Sequence, residues 1–332
     1  MKLLALRDLY HLLVIVLVQI TAWLPATKVR PWLVASIASV AHRVQVRKRH
    51  LAEANLATAI DSDLDESERE RIVRQSFQAT WEEVFSLLPS ATEWEALQGS
   101  IQVDGLEHLR GALSDGRGAI LWESHFGKRS LAKRALHQMG FRLCQVHHER
   151  HLGGLFPGHG PMTWLRFYAV KRFFERWEKQ FLKDTIYLPR SGSLAFTRTL
   201  LRRLQENVVL CSAADGHYGQ RPVLMQFLGQ VEPFQTGMLS LAKLSGSPVL
   251  PMFCFRHSDG AMRLVIEGPI QTEADSDRER GLREALARYV HLLESYIREY
   301  PEQYRNWHFV GKPVRRSTGT DRAAPRRMQE SQ

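Results

Sequence analysis

His125 is the side chain on which chemistry can be built. It lies in the stretch Gly118-Ala-Ile-Leu-Trp-Glu-Ser-His-Phe-Gly-Lys-Arg-Ser130. The apolar run from Gly118 to Trp122, bounded upstream by the turn-forming Ser114-Asp-Gly-Arg117, predicts a buried strand. From Lys128 to Met139, Leu131, Ala132, Ala135 and Leu136 recur at helical spacing, and Gly140 ends the pattern. His125 therefore falls in a strand-to-helix turn, at the edge where open α/β sheets gather ligands. Imidazole titrates near neutrality unaided, so a general base is the chemistry this position suggests. A loop histidine with a capping or surface role is the competing reading.

A second polar knot, Asp215-Gly-His-Tyr-Gly-Gln-Arg221, follows the apolar run Val208–Ser212 and so also falls at a strand end. Its glycines allow backbone to approach a ligand closely. Asp215 can orient a base, bind a polar headgroup or simply form a turn. Glu123 stands two residues before His125 and would share its face on an extended strand end. The stretch His147-His-Glu-Arg-His151 is rich in metal donors, but a His pair at this spacing ligates from a helix. Here it sits between a predicted strand and Gly153-Gly154, so a solvated loop is the better fit and no metal site is expected. No Walker loop, Rossmann fingerprint or GxSxG elbow is present.

The elements that must position these groups alternate. Roughly the first hundred residues read as helix, including Val46 to Ile60 and Ile72 to Leu88. Beyond Ile101 the chain predicts strands at 101–103, 118–122, 141–146, 184–188, 208–212, 248–255 and 262–267. Helices fall between them, and a long final helix runs from Arg278 to Tyr300. Such alternation predicts an α/β fold with a mostly parallel sheet flanked by helices, preceded by a helical N-terminal region. A long helix over Pro161 to Leu182 carries Trp164, Phe167, Tyr168, Phe173, Phe174 and Trp177 among Lys171, Arg172 and Arg176. That stripe suits core packing, and also a membrane surface.

The 332-residue chain is long enough to bury a full core. Its net charge of +10 points to an anionic partner such as nucleic acid, an acidic membrane face or an acidic protein. No nucleic-acid recognition motif accompanies the charge, so a nucleic-acid partner is not expected. Cys144, Cys211 and Cys254 lie singly in apolar runs and read as reduced core residues of a cytoplasmic body. At the N-terminus, Leu9 to Thr27 contains no charged residue, which is near the lower limit for a spanning helix. A signal peptide or a buried helical hairpin would look similar. A second apolar stretch, Pro31 to Ala41, follows, and then the basic band Arg43, Arg47, Lys48 and Arg49. These favour an N-terminal membrane anchor with the rest of the chain on the cytoplasmic face. The expected organisation is an anchor and interfacial helix over 1–45, a main domain over 46–313, and a disordered basic tail over 314–332.

Several motifs taken together resemble one family. Glu123-Ser-His-Phe-Gly, Asp215-Gly-His-Tyr-Gly-Gln-Arg221, Phe227-Leu-Gly, Thr236-Gly and Leu241-Ala-Lys-Leu-Ser-Gly-Ser-Pro-Val-Leu-Pro251 occur in the order seen in bacterial lipid A late acyltransferases. These form the lauroyl/myristoyl transferase branch of the lysophospholipid acyltransferase superfamily. With Arg47-Lys-Arg-His-Leu-Ala-Glu-Ala-Asn-Leu56, the likeness runs from the N-terminus to about Trp307.

The resemblance implies an acyltransferase of lipid A and lipopolysaccharide metabolism at the inner membrane. It would move an acyl chain from a thioester, on acyl carrier protein or coenzyme A, to a hydroxyl of a membrane lipid or glycolipid. No cofactor is implied, and His125 is the implied base. The family signature places a carboxylate five positions after the histidine, and here that position is Ser130. A neutral hydroxyl cannot stabilise imidazolium as an anion does. Glu123 and Asp215 are the candidate replacements, and Glu123 is expected because proximity in sequence keeps it near His125. Arg221 and Arg190 correspond to family arginines and are candidate substrate-binding residues, together with Lys128 and Arg129. The alternative is a non-catalytic, membrane-associated lipid-binding scaffold that retains the fold. A carboxylate within hydrogen-bond reach of the His125 ring separates the enzyme from the scaffold.

Overall fold

The computed structural model describes residues 12–13, 15–17, 19–20, 29–60, 64–86, 94, 99–148, 171–188, 194–215, 222–271 and 278–311. Its strands form where short aliphatic runs are punctuated by glycine or polar turns. They are β1 (Ile101–Asp104), β2 (Ala119–Glu123), β3 (Leu143–His148), β4 (Asp184–Leu188), β5 (Val209–Ala213), β6 (Val223–Phe227), β7 (Gln230–Phe234), β8 (Val249–Arg256) and β9 (Met262–Ile266). Seven of them make one sheet in the order β1-β9-β8-β2-β5-β3-β4. The run from β8 through β4 is parallel. Strand β9 pairs antiparallel with β8, and β1 lies parallel to β9 at the edge. Strand β2 is central and all five of its residues are buried, as expected where helices cover both faces.

The helices are α1 (Val29–Val44), α2 (Val46–Ala59), α3 (Glu66–Ser86), α4 (Leu106–Ser114), α5 (Arg129–Gln138), α6 (Lys171–Glu178), α7 (Leu194–Gln205), α8 (Gly237–Ser245) and α9 (Arg278–Glu299). Alternation along β2 divides the core in two. Ile120 and Trp122 face a large cluster that includes Tyr289 and Leu293 of α9 and Leu56 and Phe77 of the N-terminal helices. Ala119 and Leu121 face a second cluster built with Leu109 of α4 and Leu131 and Leu136 of α5. The N-terminal helices thus share the core of the sheet.

Helix α3 begins at Glu66, inside the acidic stretch that precedes Ile72, where Asp65 accepts the Glu68 N–H at 2.8 Å and caps it. The stretch 223–234 departs from the sequence reading, forming an antiparallel hairpin where no strand was expected. Among the described residues, no helix is long and apolar enough to cross a membrane. The Leu9–Thr27 segment lies largely outside the described residues. Within it Ile15 packs into the main core, while Leu13, Val16 and Ile20 are exposed. The basic tail and residues 161–170 of the aromatic stripe also lie outside the described residues. Phe173 and Trp177 of that stripe pack against the main core.

Candidate active site

Strands β2 and β5 are hydrogen-bonded neighbours, and their parallel register sets Glu123 opposite Ala213. His125 and Asp215 each lie two residues past that last pair, so the fold places them side by side at the carboxyl edge. The His125 Nδ1 and Asp215 Oδ1 atoms are 2.8 Å apart. The His125 backbone N–H also donates to both Asp215 oxygens, at 3.0 and 2.9 Å. The Asp215 side chain is 2% exposed and that of His125 13%. Burial alone would raise the Asp215 pKa, but the His125 charge and hydrogen bonds outweigh it and hold the carboxyl at about 2. Burial depresses the His125 pKa below its ordinary value, against the opposing pull of Asp215. The imidazole is therefore neutral at neutral pH and oriented by a permanently charged carboxylate. That is the preparation a general base requires.

The expectation that Glu123 orients His125 is corrected. Strand β2 ends at Glu123, so the rule that residues two apart share a face stops there. The Glu123 side chain continues the row of Ala119 and Leu121, toward α5. Its Oε1 lies 3.3 Å from Arg129 Nη1 and accepts from Gln145 Nε2 at 3.0 Å, and Oε2 is 3.4 Å from Lys133 Nζ. Glu123 is fully buried. Burial would raise its pKa, but Lys133 and Arg129 overcome that and hold it at about 2. It is the buried counter-ion of the helix that follows His125.

The turn carrying His125 is clamped from several sides. The Glu123 carbonyl accepts from Ala214 N–H at 2.8 Å and from Tyr289 Oη at 3.2 Å. The His125 carbonyl accepts from the Arg305 N–H at 2.9 Å, and Gly127 N–H donates to the Gln303 carbonyl at 3.0 Å. Phe126 forms an isolated antiparallel bridge with Tyr304 and packs on Phe253, Phe255 and Tyr296. Gly127 has φ +58°, and a Cβ there would sit 1.9 Å from the Cys254 carbonyl oxygen. Only glycine fits this crossing of the turn over β8.

The remaining sequence candidates divide. Arg129 is beside the site but is engaged by Glu123, and Lys128 pairs with Glu82 of α3 at 2.8 Å. Arg190 and Arg221 lie outside the described residues. Ser130, at the position of the family carboxylate, donates its N–H and Oγ–H to Glu83 Oε1 at 3.1 and 2.9 Å. His147 and His148 end β3, where His147 Nε2 lies 3.2 Å from Glu178, and residues 149–151 lie outside the described residues. Among the described residues no cluster of His, Cys, Asp or Glu is arranged to hold a metal. The three cysteines are free and buried, and burial raises their thiols, to about 11 for Cys144 and about 12 for Cys254.

Sequence reasoning missed Arg305. It follows the final helix, is 8% exposed, and is tied to the His125 turn through its backbone. The available signal was an arginine in an otherwise aromatic segment between Tyr304 and Trp307.

Fold and site together define a class: an α/β protein with a histidine–aspartate dyad at the carboxyl edge of a mostly parallel sheet. The chain belongs to the bacterial lipid A biosynthesis acyltransferase family, whose model matches residues 1–155 and 167–308. Membership makes it an acyltransferase of the lipid and glycolipid type. It is similar to the lipid A biosynthesis lauroyltransferase of Escherichia coli strain K12, at 24% identity over 280 residues, covering 81% of this chain and 80% of that one. It is also similar to the phosphatidylinositol mannoside acyltransferase of Mycolicibacterium smegmatis, at 26% identity over 197 residues and 58% of each chain. A solved structure, the 1-acyl-sn-glycerophosphate acyltransferase PlsC of Thermotoga maritima, aligns over 87% of this chain and 99% of its own at 15% identity, with a TM-score of 0.33.

Proposed function

We propose that this protein transfers a fatty acyl group from a carrier thioester, on acyl carrier protein or coenzyme A, to a hydroxyl of a membrane lipid or glycolipid. His125 is the general base and Asp215 its orienting partner. The observation that carries this reading is the 2.8 Å contact between His125 Nδ1 and Asp215. A carboxylate within reach of the ring is what an enzyme rather than a scaffold needs, and it supports this reading. With Nδ1 committed to Asp215, Nε2 is the proton-accepting atom. The acceptor hydroxyl gives its proton to Nε2 as its oxygen bonds to the thioester carbon, and the carbonyl pair moves onto oxygen. The tetrahedral species collapses, the carbon–sulfur bond breaks, and imidazolium returns the proton to the departing thiolate. Asp215 stabilises imidazolium throughout without taking the proton. No metal or organic cofactor enters, because the thioester supplies the driving force.

A net charge of +10 suits both an acidic carrier and anionic headgroups, and it favours work at the cytoplasmic face of the inner membrane. The relatives named above as acting on lipid A and on a phosphatidylinositol mannoside support a glycolipid acceptor. The test is a lipid mass profile of cells lacking the protein, carrying it, or carrying His125→Ala. The expected result is one or more lipids heavier by an acyl chain only with the unaltered protein. Identical profiles in all three strains would remove the acyl-transfer reading.

A further inference from the structure

Arg305 carries guanidinium donors that the fold leaves without acceptors. Its Nε and Nη2 atoms are buried, and neither has a hydrogen-bond acceptor among the described residues. The residue is 8% exposed, and groups so placed are ordinarily satisfied. The three nearby carboxylates that act on its charge are each engaged elsewhere. Asp215 holds His125, Glu123 holds Arg129 and Lys133, and Glu83 accepts from Ser130. Burial lowers the Arg305 pKa to about 10, with Arg129 acting the same way, so it remains a cation at neutral pH. Its charge in turn acts on the His125 imidazole. Arg129, whose Nη1 lies on Glu123, also has a buried Nε–H without an acceptor, and the charges of both arginines act on the His125 imidazole.

The anion these donors lack is one that arrives or develops during turnover. The Arg305 N–H to His125 carbonyl bond and the Phe126–Tyr304 bridge fasten Arg305 to the turn that holds the base. A backbone tied to the turn of the base and a side chain enclosed by burial hold the donor in place before the charge develops, which is what electrostatic stabilisation of a transition state demands. Resting on the acyl-transfer reading, we propose that the Arg305 guanidinium donates to the oxyanion formed from the thioester carbonyl when the acceptor hydroxyl attacks. The group bound is the negative oxygen of the tetrahedral species. Its charge appears as the carbon–oxygen bond forms and disappears as the carbon–sulfur bond breaks. A phosphate on the acceptor lipid has the same anionic-oxygen chemistry and is the alternative occupant that the experiment separates.

The experiment uses the purified full chain in detergent, with dodecanoyl-coenzyme A as the thioester. Thiol release is followed with a lipid acceptor and also with water alone as the acceptor. Arg305→Met, Arg305→Lys and His125→Ala are compared with the unaltered protein, and thermal unfolding is recorded for each. The expected result for Arg305→Met is a kcat lower by about 10²–10³ in both reactions with KM unchanged. Its unfolding temperature should rise, because an unpaired buried charge is gone, and Arg305→Lys should recover part of the rate. Normal kcat in Arg305→Met overturns the proposal. So does a loss confined to the KM of phosphorylated acceptors with hydrolysis intact, which would assign the site to a headgroup phosphate. A lower unfolding temperature with both rates lost would mark a structural arginine and overturn it too. Full activity in His125→Ala would instead refute His125 as the base, while no thiol release from the unaltered protein with either acceptor would refute the acyl-transfer reading and this inference with it.

Discussion

Replacing Glu123 by Gln separates the arrangement seen here from the one proximity in sequence suggests. The carboxylate is wholly buried against Arg129, Lys133 and Gln145. Neutralising it leaves two cations buried without their shared anion. Breaking a buried pair from one side costs about 3–5 kcal/mol. That is a large share of the roughly 5–15 kcal/mol that holds a domain folded. At about 2–4 °C per kcal/mol for a chain of this order, the unfolding midpoint should fall by about 10 °C. The effect on turnover at a temperature where the variant is folded should be small, because Asp215 and not Glu123 holds the imidazole. Thermal unfolding and acyl transfer measured on the same preparation give both numbers. An unchanged midpoint with a crippled rate would refute the reasoning and restore Glu123 as the residue that orients His125.

Four further outcomes follow from the contacts around the dyad. Activity should fall on acidification only below the ordinary histidine value of 6.5, because burial depresses the His125 pKa, and kcat/KM should be flat above it. Stability should decline over a lower window: Glu123 and Asp215, both held at about 2 in the folded chain, stabilise it above their ordinary values of 4.5 and 3.8, and the gain is lost as pH falls toward 2. Ser130→Ala should cost about 1.5–3 kcal/mol through the lost bond to the Glu83 carboxylate. Ser130→Asp, which restores the family pattern in sequence, should be less stable still and no faster, since it sets an anion against Glu83; a gain in rate on denaturation-corrected protein would contradict this.

Much of the architecture was legible because each central strand is a continuous apolar run and each helix a periodic one. Strand β2, helix α5 and the β8–β9 pair fall within a residue or two of their expected bounds. The β6–β7 hairpin was not legible. Pro233 argues against a strand, and is tolerated because this two-stranded ladder has only edges. Its turn is Leu228-Gly229, with Leu228 at φ 51°, where Asn-Gly or Gly-Gly would have signalled the bend more strongly.

Site legibility split the same way. His125 and Asp215 could each be placed at a strand end from local pattern. That their strands are neighbours is a fact of sheet order, and ninety residues separate the pair. Glu123 was misplaced because the end of β2, and with it the direction of its side chain, depends on where the chain leaves the sheet. Arg305 gave no periodic signal, since its place is set by a backbone bond to a turn far away in sequence.

The most direct test of the central claim is the initial rate of acyl transfer from a thioester to a lipid hydroxyl by Asp215→Asn, measured against the unaltered protein at equal folded concentration. Asparagine keeps the shape but removes the charge that stabilises imidazolium. The account predicts a kcat lower by up to about 10⁴. A rate within about two-fold of the unaltered protein would show that the histidine–aspartate pair does not perform the chemistry assigned to it.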